Sequence, residues 1–595
     1  MYTTIASRIS AIRTWLLTNQ VDALIIPHED EYLGEYVPEC NERLQWATGF
    51  TGSAGTAIIT ATTAAIFVDG RYTVQVTKQV PATEFSFHHS VDEPITDWIA
   101  NQEIQIDRIA FDPRMHTANW YASTGEKLLG KTQLVALENN PIDELWLDRP
   151  LQTVSPVRLM PTSYTGLSSE DKRNQIASEI RKLGADAAVL TQLDSICWLL
   201  NIRGLDVSRL PVLLSHAIAY SDASVDFFLD PARLPSDFKN HVGSGVKVRH
   251  PTTLKSTIEN LSGKRVLTDP VSSNAWFSLQ LECNGAIVID SPDPCLQPKA
   301  AKHPVEISGM KAAHIRDGVA MAKFLSWLDN EVANNHYRSE AELSDQLQKF
   351  REQDEQLVDL SFDTISAAGS NAAMCHYNHN DQAEPGVLSP DTLYLVDSGG
   401  QYPDGTTDIT RTIAIGNPTD EMKKQFTLVL KGHIAMNRAR FPKGTTGHQL
   451  DILARQHLWA EGFDYDHGTG HGVGHFLSVH EGPQSISKVA KPIALVAGMI
   501  VSNEPGYYRA EGFGIRIENL ELVVEIETGG DFSVLGFESL TRCPIDKRNI
   551  EVSLLTKTEL CWLNAYHQTV WDEVSPLLDN ETQFWLKNAT LPLSH

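Results

Sequence analysis

The hydrophobic pattern of the first 150 residues alternates between helical and β-type spacing. Apolar residues at helical intervals predict an amphipathic helix near Ile5–Thr18, and the apolar run Asp22–Pro27 predicts a short buried strand. Further β-rich runs follow, and the pair Asp69-Gly70 predicts a tight turn with Arg71 directly after it. Helices that alternate with short strands predict an α/β domain over residues 1–150. From its spacing alone, Arg71 is most simply a solvated arginine in a loop or at a strand start.

A second segment, residues 151–302, repeats this pattern after a proline-rich linker. Ser168 and Asp171 have the spacing of a capping box, which predicts a helix to about Leu183. The motif D-A-[LA]-[IV]-[IL] follows a helix in both segments, and W-x-x-x-[FI]-x-G comes after it at Trp46–Gly52 and Trp198–Gly204. From the Asp to the Trp the distance is 24 residues in the first copy and 12 in the second. We therefore infer a duplicated α/β domain whose first copy carries an insertion.

The third segment, residues 303–595, has longer helices and a different β pattern. A helix is predicted over about Ile307–Ala333, and the capping-box stretch Ser339–Glu342 opens another. Alternating residues predict strands at Leu393–Asp397 and Thr407–Ala414, joined by the turn-rich S-G-G-Q-Y-P-D-G. The remaining predicted elements are a helix with Asn417 at its N-cap and Pro418 at N1 that runs to about Arg440, a helix after Gly447, strands at about Met499–Glu504 and Ile515–Glu525, and a helix over Thr558–Val574 in an extension from about residue 546. The fold class is multidomain, with α/β and α+β parts.

Length and charge narrow the class of protein. A chain of 595 residues is too long for one core and predicts two to four domains. Its 49 basic and 75 acidic side chains give a formal net charge of −26. This charge argues against nucleic acid as a partner and against anionic membrane surfaces, since both need a basic footprint. It suits a cationic ligand such as a peptide amino terminus, although many acidic proteins are simply well solvated.

The cysteines and the first helix indicate the compartment. Seven cysteines are scattered along the chain without a C-x-x-C motif, which is typical of reduced thiols in a cytosolic protein. The first helix lacks the continuous apolar run and the small-residue cleavage site of a signal peptide. No apolar run approaches the length of a membrane span. We expect a cytoplasmic protein without a membrane segment.

Candidate chemistry is concentrated between His467 and Glu518. Glycine occupies every second position after His467, so in an extended stretch the glycines share one face while His467, His471 and His475 share the other. Glycine in a strand is costly unless another backbone approaches closely. We therefore expect a strand that packs tightly on its glycine face and presents imidazoles on the opposite face. A lone histidine is more often a satisfied core residue, but three on one face, with His480 beyond, favour a site.

Four acidic residues lie in or beside the predicted strands. Asp397 ends one predicted strand and Asp408 lies near the start of the next, so a hairpin would bring them together. Glu504 closes the strand G-M-I-V-S-N-E, and Glu518 shares a strand face with Arg516, where a buried Glu–Arg pair is the alternative interpretation. Buried carboxylates that face one another need a cation or a shared proton. Four carboxylates with few histidines fit a hydrolytic two-metal site better than one structural zinc.

Several motifs resemble those of the pita-bread metallopeptidases, the family of methionine aminopeptidase, prolidase and aminopeptidase P. They are V-D-S-G-G…T-T-D-I-T-R-T, H-G-T-G-H-G-V-G, N-E-P-G-Y-Y and G-I-R-I-E-N. The three-segment layout, with F-T-G-S-A-G-T-A-I-I-T, V-D-G-R-Y, V-L-K-G-H-I-A and V-H-E-G-P, is similar to the long cytosolic form of aminopeptidase P. The resemblance covers nearly the whole chain. It implies two creatinase-like α/β N-terminal domains and a C-terminal pita-bread catalytic domain with a helical extension.

The resemblance also implies the site residues. The implied metal ligands are Asp397 on one ion, Asp408 and Glu518 bridging two ions, and His471 and Glu504 on the second ion. Manganese is the usual metal of the family, and the ligand set also admits cobalt, iron or zinc. The implied active-site residues are His376, His467 and His480, with Glu504 assisting proton transfer, and Arg71, Arg516, His376 and His480 contacting the substrate. For Arg71 this replaces the simple surface interpretation.

The implied reaction is hydrolysis of the first bond in peptides with a free amino terminus and proline second, by a metal-activated water. His376 or His480 would stabilise the tetrahedral intermediate. Two alternatives stay open: a prolidase, which takes only Xaa-Pro dipeptides, and a catalytically dead pita-bread binding module. The layout argues against the first, and the complete ligand set argues against the second. A homodimer is also implied, and His475 stays outside the catalytic set because the family's animal enzymes carry a small residue there.

Overall fold

The chain divides into two structural units in the computed structural model, which describes residues 3–382 and 384–594. The first unit comprises Met1–Met160 and Leu167–Leu296, and the second comprises Pro161–Gly166 and Gln297–His595. The predicted domains also include Met1, Tyr2, Ala383 and His595, which lie outside the described residues. The domain boundaries near residues 150, 302 and 546 stay predictions.

A six-stranded mixed sheet forms the N-terminal part of the first unit. Its strands are β1 (Ala23–Pro27), β2 (Thr56–Thr60), β3 (Ala64–Val68), β4 (Ser86–His89), β5 (Arg108–Phe111) and β6 (Gln133–Ala136). The helices are α1 (Ile5–Asn19), α2 (Arg43–Thr48), α3 (Thr73–Gln79), α4 (Ile95–Ala100), α5 (Ala118–Leu128) and α6 (Pro141–Leu145). Every residue of β1 is buried, because this apolar strand lies inside the sheet.

The next part of the chain contributes a second six-stranded sheet to the first unit. The strands of this region are β7 (Arg158–Leu159), β8 (Ala187–Leu190), β9 (Ile202–Arg203), β10 (His216–Tyr220), β11 (Val225–Phe228), β12 (Val246–Arg249), β13 (Arg265–Thr268) and β14 (Ile287–Asp290). The helices are α7 (Thr162–Thr165), α8 (Ser169–Lys182), α9 (Leu193–Leu200), α10 (Phe238–Val242), α11 (Leu254–Glu259), α12 (Ala275–Cys283) and α13 (Leu296–Ala300); α7 and nearly all of α13 belong to the second unit. The predicted Ser168 capping box is confirmed at the start of α8.

The two sheets share one topology. Their strand orders are β4-β3-β2-β1-β5-β6 and β12-β11-β10-β8-β13-β14, with parallel and antiparallel pairs at matching positions. A helix precedes the first strand in each copy, and Trp46 and Trp198 lie in the matching helices α2 and α9. The predicted duplication is therefore confirmed. The insertion in the first copy lies within the segment 28–42 between β1 and α2.

Long helices frame the second unit. They are α14 (Pro304–Ala333), α15 (Glu340–Arg351), α16 (Asp420–Asn437), α17 (Gly447–Trp459), α18 (Lys557–Val574) and α19 (Asn580–Thr590). The first of them begins earlier than predicted, because the ring of His303 caps it and accepts from the amide of Val305. The predicted N-cap at Asn417 is wrong: Thr419 caps α16 and accepts from the amide of Met422, while the amide of Asn417 donates to Asp391. Threonine followed by two acidic residues was the stronger start signal.

The strands of the second unit form several sheets. They are β15 (Asp359–Leu360), β16 (Ile365–Ala368), β17 (Thr392–Ser398), β18 (Gly400–Tyr402), β19 (Gly405–Thr406), β20 (Ile409–Ile415), β21 (Arg440–Pro442), β22 (Gly470–Gly472), β23 (Glu481–Ile486), β24 (Ile500–Asn503), β25 (Gly506–Arg509), β26 (Phe513–Arg516), β27 (Asn519–Ile526) and β28 (Val534–Ser539). The orders β16-β17-β20 and β21-β28-β27-β24-β22-β23 describe the two sheets that carry the candidate site. The strand predicted over Ile515–Glu525 is interrupted at residues 517–518, which separates β26 from β27.

In the core of the second unit, helices pack against the strands near the candidate site. One cluster joins Phe426 of α16, Ile515 of β26, and Leu563 and Val570 of α18. All seven cysteines are free thiols, as their spacing predicts. Among residues 3–382 and 384–594, no helix combines the length and the apolar character needed to cross a membrane.

Candidate metal centre

Three carboxylates meet at the end of the β17–β20 hairpin. Antiparallel pairing sets Asp397 opposite Thr410, which brings Asp408 to the same end of the hairpin. Glu518 lies in the break between β26 and β27. One oxygen from each of the three carboxylates lies within 4.8 Å of the other two, and each residue is at most 8% exposed. The hydroxyl of Thr410 donates to Glu518 Oε2 over 2.7 Å and fixes that carboxylate.

His471 of β22 and Glu504 after β24 complete this group. His471 Nε2 lies 3.5 Å from Asp408 Oδ2 and 3.4 Å from Glu504 Oε1. Its Nδ1 lies 2.9 Å from the carbonyl oxygen of Gly472, so Nδ1 carries the proton and the Nε2 lone pair faces the carboxylates. The hydroxyl of Ser502 accepts from the amide of His471 and donates to Glu504 Oε1, each over 2.9 Å.

The glycines around His471 allow close packing of neighbouring backbone. A Cβ on Gly470 would lie 2.0 Å from the carbonyl oxygen of Ser502, and one on Gly472 would lie 2.3 Å from that of Glu481. No other residue fits at either position without moving a strand. The expected close approach on the glycine face is therefore confirmed for these two positions.

The alternation predicts a long strand that bears the histidines, and this prediction is wrong about the length of the strand. Strand β22 has three residues, and a register shift between His471 and Gly472 ends the alternation of faces. The chain then turns, with the amide of Gly474 bonded to the carbonyl of Ser478. His475 is consequently buried beside Glu306, with 3.9 Å between His475 Nδ1 and Glu306 Oε1, and is absent from the described metal-ligand groups.

His480 lies at the exposed side of the centre. Its ring is edge-on to that of His471, with 4.4 Å between centroids. A nitrogen of His480 also lies within 4.8 Å of ligand atoms of Asp408 and His471. His480 is solvent-exposed, whereas Asp408 is buried, so the group opens toward solvent on the His480 side.

A chain of hydrogen bonds links Asp397 to His467. Arg516 donates to Asp397 Oδ2 over 2.6 Å and to the hydroxyl of Tyr508 over 2.6 Å. That hydroxyl lies 2.8 Å from His467 Nε2, and His467 Nδ1 lies 2.7 Å from the carbonyl oxygen of Gly468. His467 Nδ1 is therefore the donor to Gly468, and Nε2 accepts from Tyr508. Arg516 forms its ion pair with Asp397, so the alternative of a pair with Glu518 is wrong.

Tyr508 was not identified from the sequence. Its motif, N-E-P-G-Y-Y, marked the region, but two adjacent tyrosines gave no basis for choosing between them. In the structure the two side chains of this strand point to opposite faces, and Tyr507 belongs to the hydrophobic core while Tyr508 reaches the site.

Negative charge dominates this buried region. Burial and repulsion from Asp397 and Glu504 raise the pKa of Asp408 well above its ordinary range. Burial and repulsion from Asp408, Asp397 and Glu504 raise the pKa of Glu518 well above its ordinary range. Burial raises the pKa of Glu504 to about 7, although the charge of Arg516 opposes this shift. Within the part of the chain that the structure describes, Asp397 Oδ1 is buried and has no hydrogen-bond partner.

These residues fit divalent metal ions. Four carboxylates and one imidazole are a donor set for metals that accept oxygen and nitrogen ligands together. A cation would offset the repulsion between the carboxylates and would satisfy Asp397 Oδ1. The metal-ligand groups overlap through Asp408, His471 and Glu518, which is the pattern expected when carboxylates are shared between two ions.

The other predicted site residues fall in two places. His376 is half-buried in the second unit, and its charge contributes to lowering the pKa of His467, after burial and the charge of Arg516. Arg71 lies in the first unit between β3 and α3, where it forms an ion pair with Asp69 over 2.7 Å. The tight turn predicted at Asp69 is present, since Asp69 Oδ1 accepts from the amide of Arg71 over 2.9 Å.

Comparison with known families identifies the class of protein. The sequence matches metallopeptidase family M24 over residues 308–525 and the C-terminal region of that peptidase over residues 533–593. Residues 8–145 and 148–306 each match the creatinase/prolidase N-terminal domain. The chain belongs to metallopeptidase family M24, with two creatinase-like domains before a pita-bread catalytic domain.

Full-length similarity narrows the comparison within this family. Proteins named as probable Xaa-Pro aminopeptidase P are similar over 99% of this chain: one from Talaromyces stipitatus is 39% identical and covered to 92%, and one from Aspergillus niger is 38% identical and covered to 99%. The crystal structure of an X-prolyl aminopeptidase from Caenorhabditis elegans, described as a cytosolic enzyme with a di-nuclear active site, superposes with a TM-score of 0.95 at 33% identity and full coverage of both chains.

Proposed function

We propose that this chain is an Xaa-Pro aminopeptidase, which releases the first residue from peptides with proline in second position. One observation supports the proposal: a chain similar over its full length to Xaa-Pro aminopeptidase P proteins brings five potential metal ligands together in one site. A hydrolase acting on a peptide amino terminus also accounts for the acidic character of the site.

The site is proposed to hold two divalent ions. Asp397 would bind one ion, Asp408 and Glu518 would bind both, and the second would also be bound by His471 and Glu504. The C. elegans enzyme, which is described as di-nuclear, supports this number. We propose manganese as the native metal, with cobalt, iron and zinc compatible with the same donors. Bound divalent ions supply Lewis acidity and lower the pKa of water at the site.

The protein's own groups handle protons and orient the peptide. We propose Glu504 as the group that accepts the proton of the attacking water, since it is a carboxylate at the centre, held by the Ser502 hydroxyl and 3.4 Å from His471 Nε2. His376 and His480 are proposed to contact the substrate carbonyl and to stabilise developing negative charge. His467 is held neutral by burial and by Arg516, and Tyr508 fixes its tautomer, so it offers a defined and uncharged surface to the peptide.

Arg516 and Arg71 were both predicted to contact the peptide, and these contacts stay proposals. For Arg516, the observed partners are Asp397 and Tyr508, so we propose that it also orients the carboxylate of Asp397 toward the metal. The guanidinium of Arg71 is held by Asp69, and its side chain is 32% exposed. We propose that it can donate to a peptide carbonyl or carboxylate.

The alternatives receive less support. An Xaa-Pro dipeptidase from Bacillus anthracis matches 64% of this chain at 23% identity, which shows a shared fold and leaves over a third of the chain unmatched. The dead binding module is disfavoured because the potential metal ligands are retained and clustered. A cytoplasmic location and a homodimer remain proposals; the C. elegans enzyme is described as cytosolic, which supports the first.

A substrate comparison tests the proposed activity. Purified chain loaded with manganese is expected to cleave Arg-Pro-Pro between residues one and two, with a kcat/KM well above that for an Xaa-Pro dipeptide. Metal analysis of the same sample is expected to find two divalent ions per chain. Activity confined to dipeptides would favour a prolidase. A chain that binds no divalent ion and gains no activity with manganese would favour the binding module.

A further inference from the structure

Glu340, the first residue of helix α15, is a fully buried carboxylate outside the metal centre. Its Oε1 accepts from the amide of Ala368 over 2.7 Å and from the side-chain amide of Asn371 over 2.8 Å. Its Oε2 accepts from the hydroxyl of Tyr377 over 2.6 Å and from the amide of Gly386 over 2.7 Å. Glu340 is 0% exposed, so these four donors replace the water that a carboxylate would otherwise bind.

This arrangement disfavours both of the side chains most similar to glutamate, glutamine and aspartate. Each carboxylate oxygen receives one backbone N–H, from Ala368 or from Gly386, and a backbone N–H cannot rotate to become an acceptor. A glutamine at position 340 would place its NH₂ against one of these amides in either orientation of the side chain. An aspartate would be one methylene too short to reach both. The site therefore requires an acceptor on both oxygens at the length of glutamate.

The segment held by Glu340 carries a residue of the proposed reaction. We define the His376 loop as residues 369–382; Asn371 and Tyr377, both bound to Glu340, flank His376 in it. The loop also contacts the metal-centre region, because Arg516 donates to the carbonyl oxygen of Cys375 over 3.4 Å. Strand β26 also packs directly on it, since a Cβ on Gly514 would overlap the carbonyl oxygen of Ala372.

We propose that Glu340 is a positioning residue for His376. The carboxylate holds the His376 loop at Asn371 and Tyr377, next to the Arg516 contact at Cys375, so the loop keeps one conformation before a peptide binds. This proposal rests on the proposed function, in which His376 contacts the substrate. Glu340 itself acts through His376, because its two oxygens are fully used by the loop and its neighbours.

The first test measures loop order without any reaction. Hydrogen-exchange mass spectrometry is applied to Glu340→Gln and to the control Glu342→Gln, in the same helical turn. Glu342 caps α15 from an exposed position, at 54%, and glutamine serves equally well in a capping box. Peptides from the His376 loop are expected to exchange about tenfold faster or more in Glu340→Gln, with strands β20 and β24 unchanged. Equal protection of the loop in both variants would overturn the proposal.

The second test asks whether the loss acts through His376. Glu340→Gln is expected to lower kcat/KM for Arg-Pro-Pro by about 100-fold, the scale for a catalytic group misplaced by about 1 Å. In a His376→Ala background the same substitution is expected to cost less than about threefold, because the positioned group is gone. A similar loss in both backgrounds would show general destabilisation and overturn the proposal.

A milder variant covers the case in which Glu340→Gln does not fold. Tyr377→Phe removes one donor and leaves both backbone amides on Glu340. It is expected to give a smaller loss of kcat/KM, about tenfold, with the same dependence on His376. Wild-type chain that is inactive on Arg-Pro-Pro would refute the proposed function alone, since hydrogen exchange still reports whether Glu340 holds the loop. An unchanged loop in Tyr377→Phe and Glu340→Gln would refute the positioning role alone.

Discussion

The tight contact at Gly470 makes a strong prediction about catalysis. In Gly470→Ala the new methyl group would start 2.0 Å from the carbonyl oxygen of Ser502, whereas real Cβ contacts are essentially never under 3.0 Å. Strands β22 and β24 must therefore separate by about 1 Å, because both sides of this contact are backbone. His471 follows Gly470 directly, and Glu504 follows the partner strand, so the two proposed ligands would move apart.

The size of the expected effect follows from that displacement. A misplacement of about 1 Å costs about 100-fold in rate, and overpacking costs about 1–3 kcal/mol of stability. We expect kcat/KM for Arg-Pro-Pro to fall at least 100-fold. The bound metal per chain should fall as well, because the distances from His471 Nε2 to Asp408 and Glu504, now 3.5 and 3.4 Å, would change. Thermal unfolding would confirm that the variant is folded.

Gly468→Ala is the matched control for this experiment. A Cβ at that position would lie 3.4 Å from the nearest atom, the carbonyl oxygen of Ile486, which is ordinary contact. We expect this variant to stay within about threefold of wild type, since nothing must move. If Gly470→Ala also stayed within threefold, the link between backbone contact and ligand geometry would be refuted.

Three further predictions concern single side chains. Asp408→Asn should abolish bound metal and lower kcat/KM by more than about 1,000-fold. The control Asp420→Asn, at an exposed helix start, should leave the metal content and kcat/KM unchanged. Normal turnover in Asp408→Asn would contradict a bridging role. Tyr508→Phe should lower kcat about tenfold with normal metal content, because His467 loses the donor that fixes its tautomer; a loss of metal instead would assign Tyr508 to the metal-binding structure. Burial raises the pKa of Glu521 to about 8, so the unfolded chain binds fewer protons than the folded chain from about pH 4.3 up to that value. As the pH rises across this range, the free energy of unfolding of the wild type should fall by up to about 1.4 kcal/mol per pH unit relative to that of Glu521→Gln. Urea unfolding at about pH 5.5 and about pH 7.5 measures this difference. An equal change with pH in both proteins would refute the prediction.

Elements with a local signal could be predicted from the sequence. The α8 and α15 capping boxes and the hairpin that carries Asp397 and Asp408 depend on residues close together in the chain. The repeat of the sheets was predictable because the same short motifs occur in both segments. The close backbone approach at Gly470 was also predictable, because glycine inside a strand commonly marks a place where another backbone comes near.

Features that depend on distant residues could not be predicted. The partner of Arg516 is Asp397, more than a hundred residues earlier, and local periodicity favoured the nearby Glu518 instead. In the histidine stretch the strand ends at Gly472, because the register against the neighbouring strand β23 shifts between His471 and Gly472. Glu340 carried a recognisable helix-start signal, yet nothing near it in sequence indicated that its four donors come from residues 368–386.

The two backbone amides that donate to Glu340 limit which substitutions this protein can tolerate at position 340. Glu340 and Glu342 stand in one helical turn, and we expect only Glu342 to be replaceable. In a library covering all substitutions, position 342 should accept glutamine and other capping residues, while position 340 should accept glutamate alone. Two residues of one chemical type, separated by a single alanine, would then differ completely in mutational tolerance, because one faces water and the other faces two backbone amides.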